Sequence, residues 1–485
     1  MKHALLALVS LAACTVGPDF HPPVVDSPPL WGPVSADVPS RTVAGEVDVQ
    51  WWLRFRDPVL SSLVDRLVAQ NLDLRTAAER IVQNRSQRQV AASQGLPRVN
   101  EQSQYNRNRI STRGLGAILQ TVPGAPVEYD IFQNGLTSSW ELDLFGRVRR
   151  SVEAANATLL ASVESRRALA LSVLAELAQN YLQLRGSQTL QAVAERNLLI
   201  ATESTRLVRE RFRNGVGTTL DLAQAQGQQA TVAASVPPLR AQSAALVNAI
   251  GLLLGEAPRA LERELSAPAP LPAVPDTVPV GLPGDLVRRR PDVREAEELL
   301  HAATANTGVA IANFYPDVTL TGMANLNGLS LRDAFSLPAR AFQVGPTIDI
   351  PLFQGGRLTG ELRLRESRQR EAAITFQKTV LTAWQDVDNA LVAYAEAQRR
   401  RVQTAEAVRQ NEDALRAARQ RYTEGASDFL NVATAEQQLL QSENNLASDE
   451  TQIATNLVAL YRALGGGWEV AGAGVVVPGQ HFYDR

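Results

Sequence analysis

Apolar positions recur along this chain with two periods. After Asp57-Pro58, an N-cap residue with proline at the first helical position, Leu60, Leu63, Leu67 and Ile81 keep helical spacing towards Gln94, where Gly95 and Pro97 end it. No proline occurs from Gly146 to about Phe212, and Val163, Ala170, Leu174, Leu177, Tyr181 and Leu184 follow one another at the three- and four-residue steps of a packed seam. This predicts one helix over 147–211, about 98 Å long at the usual rise. A second proline-free stretch, Arg357 to Tyr422, predicts another over 357–422. A solitary coiled-coil stalk would explain either rod alone.

Between the helical stretches the period is 2. Leu136, Trp140, Leu142 and Leu144 alternate with Thr137, Ser139, Glu141 and Asp143, and Phe342, Val344, Ile348 and Ile350 with Gln343, Gly345, Thr347 and Asp349. Val318, Leu320, Ala324 and Leu326 repeat the pattern, and Val99 to Arg109 shows it weakly. The predicted strands are 97–110, 134–144, 316–327 and 341–351, each near the ten residues that a tilted strand needs to cross a bilayer. A half-buried sheet in a soluble domain is the alternative, favoured by Pro346 inside a strand.

The chain is also a duplication. Arg211-Phe212-Arg213-Asn214-Gly215 aligns with Arg421-Tyr422-Thr423-Glu424-Gly425, Gly146-Arg147 with Gly356-Arg357, and Leu254-Gly255 with Leu464-Gly465, all at one offset of 210. Earlier in each copy the offset is 219, Asp73-Leu74-Arg75 onto Asp292-Val293-Arg294 and Pro97 onto Pro316. The expected organisation is a signal peptide over 1–13, an N-terminal segment over 14–56, a first repeat over 57–255 with its tip at 212–221, and a linker over 256–283. A second repeat over 284–465 follows, with its tip at 423–431, and then a tail over 466–485. The linker's seven prolines, from Pro258 to Pro283, forbid helix and favour an extended or disordered path. Four strands cannot close a barrel on their own; two chains would supply eight and three would supply twelve, and only the wider one leaves an open lumen.

Composition narrows the chemistry. Lys+Arg number 48 against 50 Asp+Glu, a formal net charge of −2, so no basic excess suits nucleic acid. One cysteine and four scattered histidines suit neither a metal centre nor a disulfide framework, so neither metal nor cofactor is expected. No nucleophile elbow or phosphate-binding glycine loop points to an enzyme, and Glu297-Glu298 reads as solvent-facing charge. No run of 18 apolar residues could form a spanning helix. The single cysteine, Cys14, follows a charged start, the apolar run Ala4–Leu11 and Leu11-Ala12-Ala13, the layout of a bacterial lipobox. Cys14 would become the acylated N-terminus and tether the chain to a membrane.

Taken in order, several motifs resemble the TolC-like outer-membrane efflux channels, in the lipoprotein branch typified by OprM. They are Cys14 to Pro23, Trp51-Trp52 with Phe55-Arg56-Asp57-Pro58, Trp140 to Arg147, Arg289 to Arg294, Phe314-Tyr315-Pro316, Leu352 to Arg357 and Ala463 to Trp468. The resemblance implies a mainly α protein with membrane β. Its duplicated unit would form, as a homotrimer, a 12-stranded outer-membrane barrel continued by a periplasmic α-helical barrel. It also implies export of small molecules, with a periplasmic adaptor and a resistance-nodulation-division (RND) type inner-membrane pump as partners. A channel serving a type I secretion pump is the near alternative.

Two turns join long helices, Gly215 to Asp221 and Gly425 to Asn431, and glycine there permits a positive φ at the helix exit. By resemblance these are docking tips for adaptor hairpins. That singles out Arg211, Gly215, Val216, Gly217, Thr218, Leu220 and Asp221, with Arg421, Gly425 and Leu430 as the repeats. The family's closed gate lies in the same region. Tyr422 matches a gate tyrosine, whereas Asn431 and Thr434 stand where acidic residues are usual, leaving Glu424 and Asp428 as nearby charge. The expected opening is an outward movement of the inner helices.

Overall fold

The computed structural model describes residues 15–32, 37–111, 113 and 127–472; Cys14, the signal peptide and the tail beyond Gly472 lie outside them. In chain order the elements are β1 (Arg41–Val43), α1 (Pro58–Gln70), α2 (Leu72–Ser93), β2 (Arg98–Arg109), β3 (Glu128–Glu141), α3 (Arg147–Arg213) and α4 (Thr219–Leu253). They continue with β4 (Thr277–Pro279), α5 (Pro283–Arg289), α6 (Pro291–Ala312), β5 (Asp317–Gly328), β6 (Arg340–Asp349), α7 (Arg357–Thr423) and α8 (Phe429–Ala463). The duplication extends to element length: α2 and α6 have 22 residues each, α3 and α7 have 67, α4 and α8 have 35.

The helix expected from Asp57 to Gln94 is in fact two. Asn71 leaves the helix at ψ 126°, and Arg290, its equivalent at offset 219, does so at ψ 123°. At Arg290 the following Pro291 disfavours helical backbone in the residue before it. Asn71 has no such neighbour; its buried side chain donates to the Leu253 carbonyl (2.7 Å) and accepts from the Leu74 N–H (2.9 Å), so tertiary contact makes the break. Strand β3 runs earlier than expected and stops at Glu141, leaving Leu142 and Leu144 outside it. The Asp143 carboxylate accepts the N–H groups of Val148 and Arg149 (3.1 and 2.9 Å), starting α3 where the alternation suggested more strand. Ile350 likewise falls past β6. The linker is not wholly extended, since Glu262–Leu265 forms a helical turn between Pro258 and Pro268, and β4 pairs with β1 in parallel.

Contacts divide the chain into two units. One holds residues up to 23, 82–161 and 296–376; the other holds 24–81, 162–295 and 377 onward. The first contains an antiparallel sheet of order β2-β3-β5-β6. Its register, Arg109 opposite Glu128, Leu136 opposite Ala324 and Gly322 opposite Val344, separates two faces. Val99, Tyr105, Phe132, Leu136, Trp140, Val318, Leu320, Leu326, Phe342, Val344 and Ile348 share one, together with Glu101, Ser103, Asn134 and Ser138, while Asn100, Gln102, Gln104, Gln133, Thr137, Thr321, Asn325 and Gln343 share the other. Pro346 sits on β6, an edge strand, where a missing N–H is tolerated. Glu298 is half-buried, its carboxylate 3.6 Å from His301 Nδ1, so the Glu297-Glu298 pair is not a purely solvent-facing charge.

The second unit has its core around Trp51, which stacks on Tyr461 (centroids 5.2 Å apart) and donates to the Gly466 carbonyl (3.0 Å). Among the described residues no helix is long and apolar enough to cross a membrane.

Candidate functional site

The two tips are built alike. At the end of α3, Gly215 has φ +76°, and the Val216 N–H reaches back to the Arg211 carbonyl (3.0 Å); at the end of α7, Gly425 has φ +75°, and the Ala426 N–H reaches the Arg421 carbonyl (2.9 Å). Each is a left-handed helix exit that lets the chain reverse within a few residues. Thr218 starts α4 with a reciprocal cap, its hydroxyl accepting the Asp221 N–H (3.0 Å) and the Asp221 carboxylate accepting the Thr218 N–H (3.2 Å). Asp428 stands at the same place before α8 and makes no side-chain cap. Gly217 is confined, since a Cβ there would lie 2.9 Å from the Phe212 nitrogen.

An apolar cluster joins the tips: Val208, Ala225, Leu415, Tyr422, Phe429, Val432, Ala435 and Leu439. Tyr422 is inside it, edge-on to Phe429 (5.6 Å) and beneath the Arg211 guanidinium (4.6 Å), which also donates to the Tyr422 carbonyl. Burial pushes the Tyr422 phenol above its ordinary range. Outside the cluster, Val216 and Leu220 are each 65% exposed and Leu430 is 57% exposed, three apolar side chains presented to solvent at the chain's turns. Glu424 accepts from Gln420 (3.0 Å), and Asp428, Asn431 and Thr434 are exposed. The Thr434 hydroxyl donates back to the Leu430 carbonyl (2.8 Å).

The family model described as "Outer membrane efflux protein" matches residues 63–256 and 282–466, one segment per repeat. The chain belongs to this family. As an outer membrane efflux protein it is a channel component at the outer membrane, a conduit and not an enzyme. The solvent efflux pump outer membrane protein SrpC of Pseudomonas putida is 30% identical over 471 residues, spanning 96% of this chain and 98% of its own. The toluene efflux pump outer membrane protein TtgC of Pseudomonas putida is 31% identical over 476 residues, spanning 96% of each. Among solved structures, the outer-membrane channel OprN superposes with a TM-score of 0.86 at 34% identity, over 94% of this chain and all of its own.

In this efflux protein two acids just behind the tips, Glu436 and Glu443, carry no local motif in the sequence. Glu436 on α8 is buried, accepts from Ser204 (2.5 Å) and pairs with Arg419 (2.7 Å). Seven residues on, Glu443 pairs with Arg196 (2.5 Å) and accepts from Asn197 (2.6 Å). Positions 226 and 233, their equivalents on α4, are Gln226 and Ala233, so the acids are peculiar to the second copy. Comparing the copies for charge differences on the seam would have found them.

A second overlooked group holds the N-terminal strap in the sheet-bearing unit. Arg150, buried near the start of α3, pairs with Asp19 (2.6 Å) and Glu153 (2.8 Å) and donates to the Val16 and Gly17 carbonyls (3.3 Å each). Gly17, at φ +94°, lies so close to Gly308 that a Cβ on it would stand 2.5 Å from that Cα. Phe20 stacks on His301 (4.4 Å).

Proposed function

We propose that this protein is the outer-membrane channel of a tripartite efflux pump, in which three copies close a 12-stranded barrel and acylated Cys14 anchors each copy in the membrane. The observation that carries the reading is the sheet itself. Its outer strands β2 and β6, 12 and 10 residues long, have no partner on their far side among the described residues, and long open edges of this kind are templates for pairing with a strand of another chain. One face carries most of the sheet's large apolar side chains, as a lipid-facing surface would, with Glu101, Ser103, Asn134 and Ser138 among them, and the other is lined with amides and hydroxyls suited to water.

The tips would receive a periplasmic adaptor, with Arg211, Gly215, Val216, Gly217, Thr218, Leu220, Asp221, Arg421, Gly425 and Leu430 forming the contact. An RND-type pump would load the channel from the inner membrane. Opening would move α7 and α8 outward at the tip, where Tyr422, Glu424, Asp428, Asn431 and Thr434 are the gate candidates. Relatives named for solvent and toluene export make small apolar aromatics the first substrates to test.

The test is export by cells carrying Val216→Asp, Leu220→Asp or Leu430→Asp. These side chains are exposed, so the variants should reach wild-type levels in the outer membrane yet lose most export and most cross-linking to the adaptor. Full export by all three at normal protein level would overturn the docking assignment.

A further inference from the structure

The connection from β5 to β6, residues 329–339, is apolar where a loop facing water would be polar. Leu329, Leu331, Phe335 and Leu337 are 65, 61, 66 and 78% exposed, while Ala334 is buried. Single exposed apolar side chains are ordinary on a protein surface; four so close together at one end of a sheet form a patch that asks what covers it. This is the end of the sheet away from α3 and α7, into which β3 and β6 lead at the other end. With the long helices periplasmic, as proposed above, the connection is at the outer surface.

The connection folds back on the sheet in a defined shape. The Ala334 N–H donates to the Ser330 carbonyl (3.0 Å), the Ser336 N–H to the Asp333 carbonyl (2.9 Å) and the Ala339 N–H to the Ser336 carbonyl (3.1 Å). The Ser330 hydroxyl accepts the Asp333 N–H (3.2 Å) and donates to the Asp333 carboxylate (2.7 Å). Two tight helical turns result, Asp333–Phe335 and Leu337–Ala339, and the first packs against β3 and β5. Gly328 fixes which face they cover. It is the register partner of Phe132, which itself lies opposite Tyr105, so a Cβ on Gly328 would point out of the apolar face; that Cβ would stand 2.5 Å from the Ala334 nitrogen. The turn therefore lies on the apolar face and leaves the amide-lined face open.

Aromatic side chains give the depth. Phe132, its ring centroid 4.8 Å from that of Tyr105, and Trp140, near the α3 end of the same face, are separated by about 26 Å of strand, comparable to the apolar band of roughly 25 Å between aromatic girdles in such barrels. The row Tyr105, Phe132, Gly328 thus marks the outer edge of the hydrocarbon, and the turn seated on Gly328 is at that level. Irregular backbone is costly deeper in lipid, where an unpaired N–H finds no water, but at this edge the internal hydrogen bonds and Pro338, which has no N–H, leave little to satisfy. A neighbouring chain would join edge to edge at β2 or β6 and would leave the face of the middle strands β3 and β5 uncovered.

We propose that the connection 329–339 is a membrane-seated flap, its Leu329, Leu331, Phe335 and Leu337 side chains inserted among the acyl chains of the outer leaflet beside the barrel. The proposal rests on the barrel reading. Arg332 and Asp333, both exposed, reach from the flap to the headgroups. The strap that follows Cys14 meets the sheet-bearing unit at the opposite end of the strands, where the Val16 N–H donates to the Phe145 carbonyl (3.1 Å). Flap and acylated Cys14 would then hold the barrel from opposite leaflets and fix its depth.

The test uses the full-length protein carrying Phe335→Cys or Leu337→Cys, labelled with the environment-sensitive fluorophore NBD and reconstituted into phosphatidylcholine vesicles. Wild type taken through the same labelling gives the background from Cys14. Val344→Cys on the apolar face and Gln343→Cys on the amide-lined face are the references. In both flap variants the emission should lie to the blue of that in Gln343→Cys, with strong quenching by lipid bearing a nitroxide early on its acyl chain and weak quenching by aqueous iodide. With Val344→Cys quenched by lipid, iodide quenching of the flap as strong as that of Gln343→Cys would put the flap in water and overturn the proposal. Shielding of the flap from both quenchers would mean that protein covers it, and would overturn the proposal as well. If Val344→Cys is itself quenched by iodide and not by lipid, the barrel reading fails and the flap with it.

Discussion

Glu295, on α6, is half-buried, and loss of water raises its carboxyl above the ordinary range; a hydrogen bond with Ser165 opposes the shift, and the nearby charges of Asp292 and Glu164 add to it. A carboxyl whose folded value is raised weakens the fold when ionised, so the penalty is absent below the ordinary carboxyl range and complete above the raised value. Glu295→Gln, which keeps an acceptor for Ser165, is expected to raise the apparent Tm at pH 8 and to give no gain near pH 3.5. A gain independent of pH would assign the effect to packing instead. Single residues of this kind were the least legible from sequence. In the sequence Arg150 and Arg419 look like any other arginine of long polar helices and Arg290 like one of a run of three, yet each is the hub of a buried or half-buried polar cluster. Tyr422 was legible as a tip residue, whereas its enclosure between Arg211 and Phe429 required the second tip to be in place.

Element boundaries follow local chemistry where the chain carries a local signal. Proline-free stretches became α3 and α7, Gly215 and Gly425 adopt positive φ at the two tips, and Pro291 marks the start of α6 after the break at Arg290. The break at Asn71 has no such marker, because its cause is the Leu253 carbonyl, 182 positions away in sequence. Asn71→Ala should therefore destabilise the first repeat by about 1–3 kcal/mol, since it leaves the Leu253 carbonyl and the Leu74 N–H without partners in a buried place. Detergent-extracted protein should melt at lower temperature, with the loss reduced in Asn71→Asp, which keeps the bond from Leu74. Strand β3 ends before its alternation does, since Leu142 and Leu144 keep the strand period while Asp143 already caps the next helix.

At the scale of the whole molecule the open edges of β2 and β6 decide what must be measured. Three chains are the expected stoichiometry, so native mass spectrometry of the mature protein should give three copies, each carrying acyl mass on Cys14. A protein that stays monomeric across detergents would leave its edges uncovered and would remove the barrel. The sequence by itself determined the duplication, the helical and β periods, the reversing turns and the family, because each depends on residues close in the chain or on motif order. Only the tertiary structure decided which strands pair, that β2 and β6 are the edges, that the sheet's faces divide into apolar and amide-lined, and which arginines meet which carboxylates. Those outcomes rest on contacts between positions tens to hundreds of residues apart, and a local pattern carries no record of its distant partner.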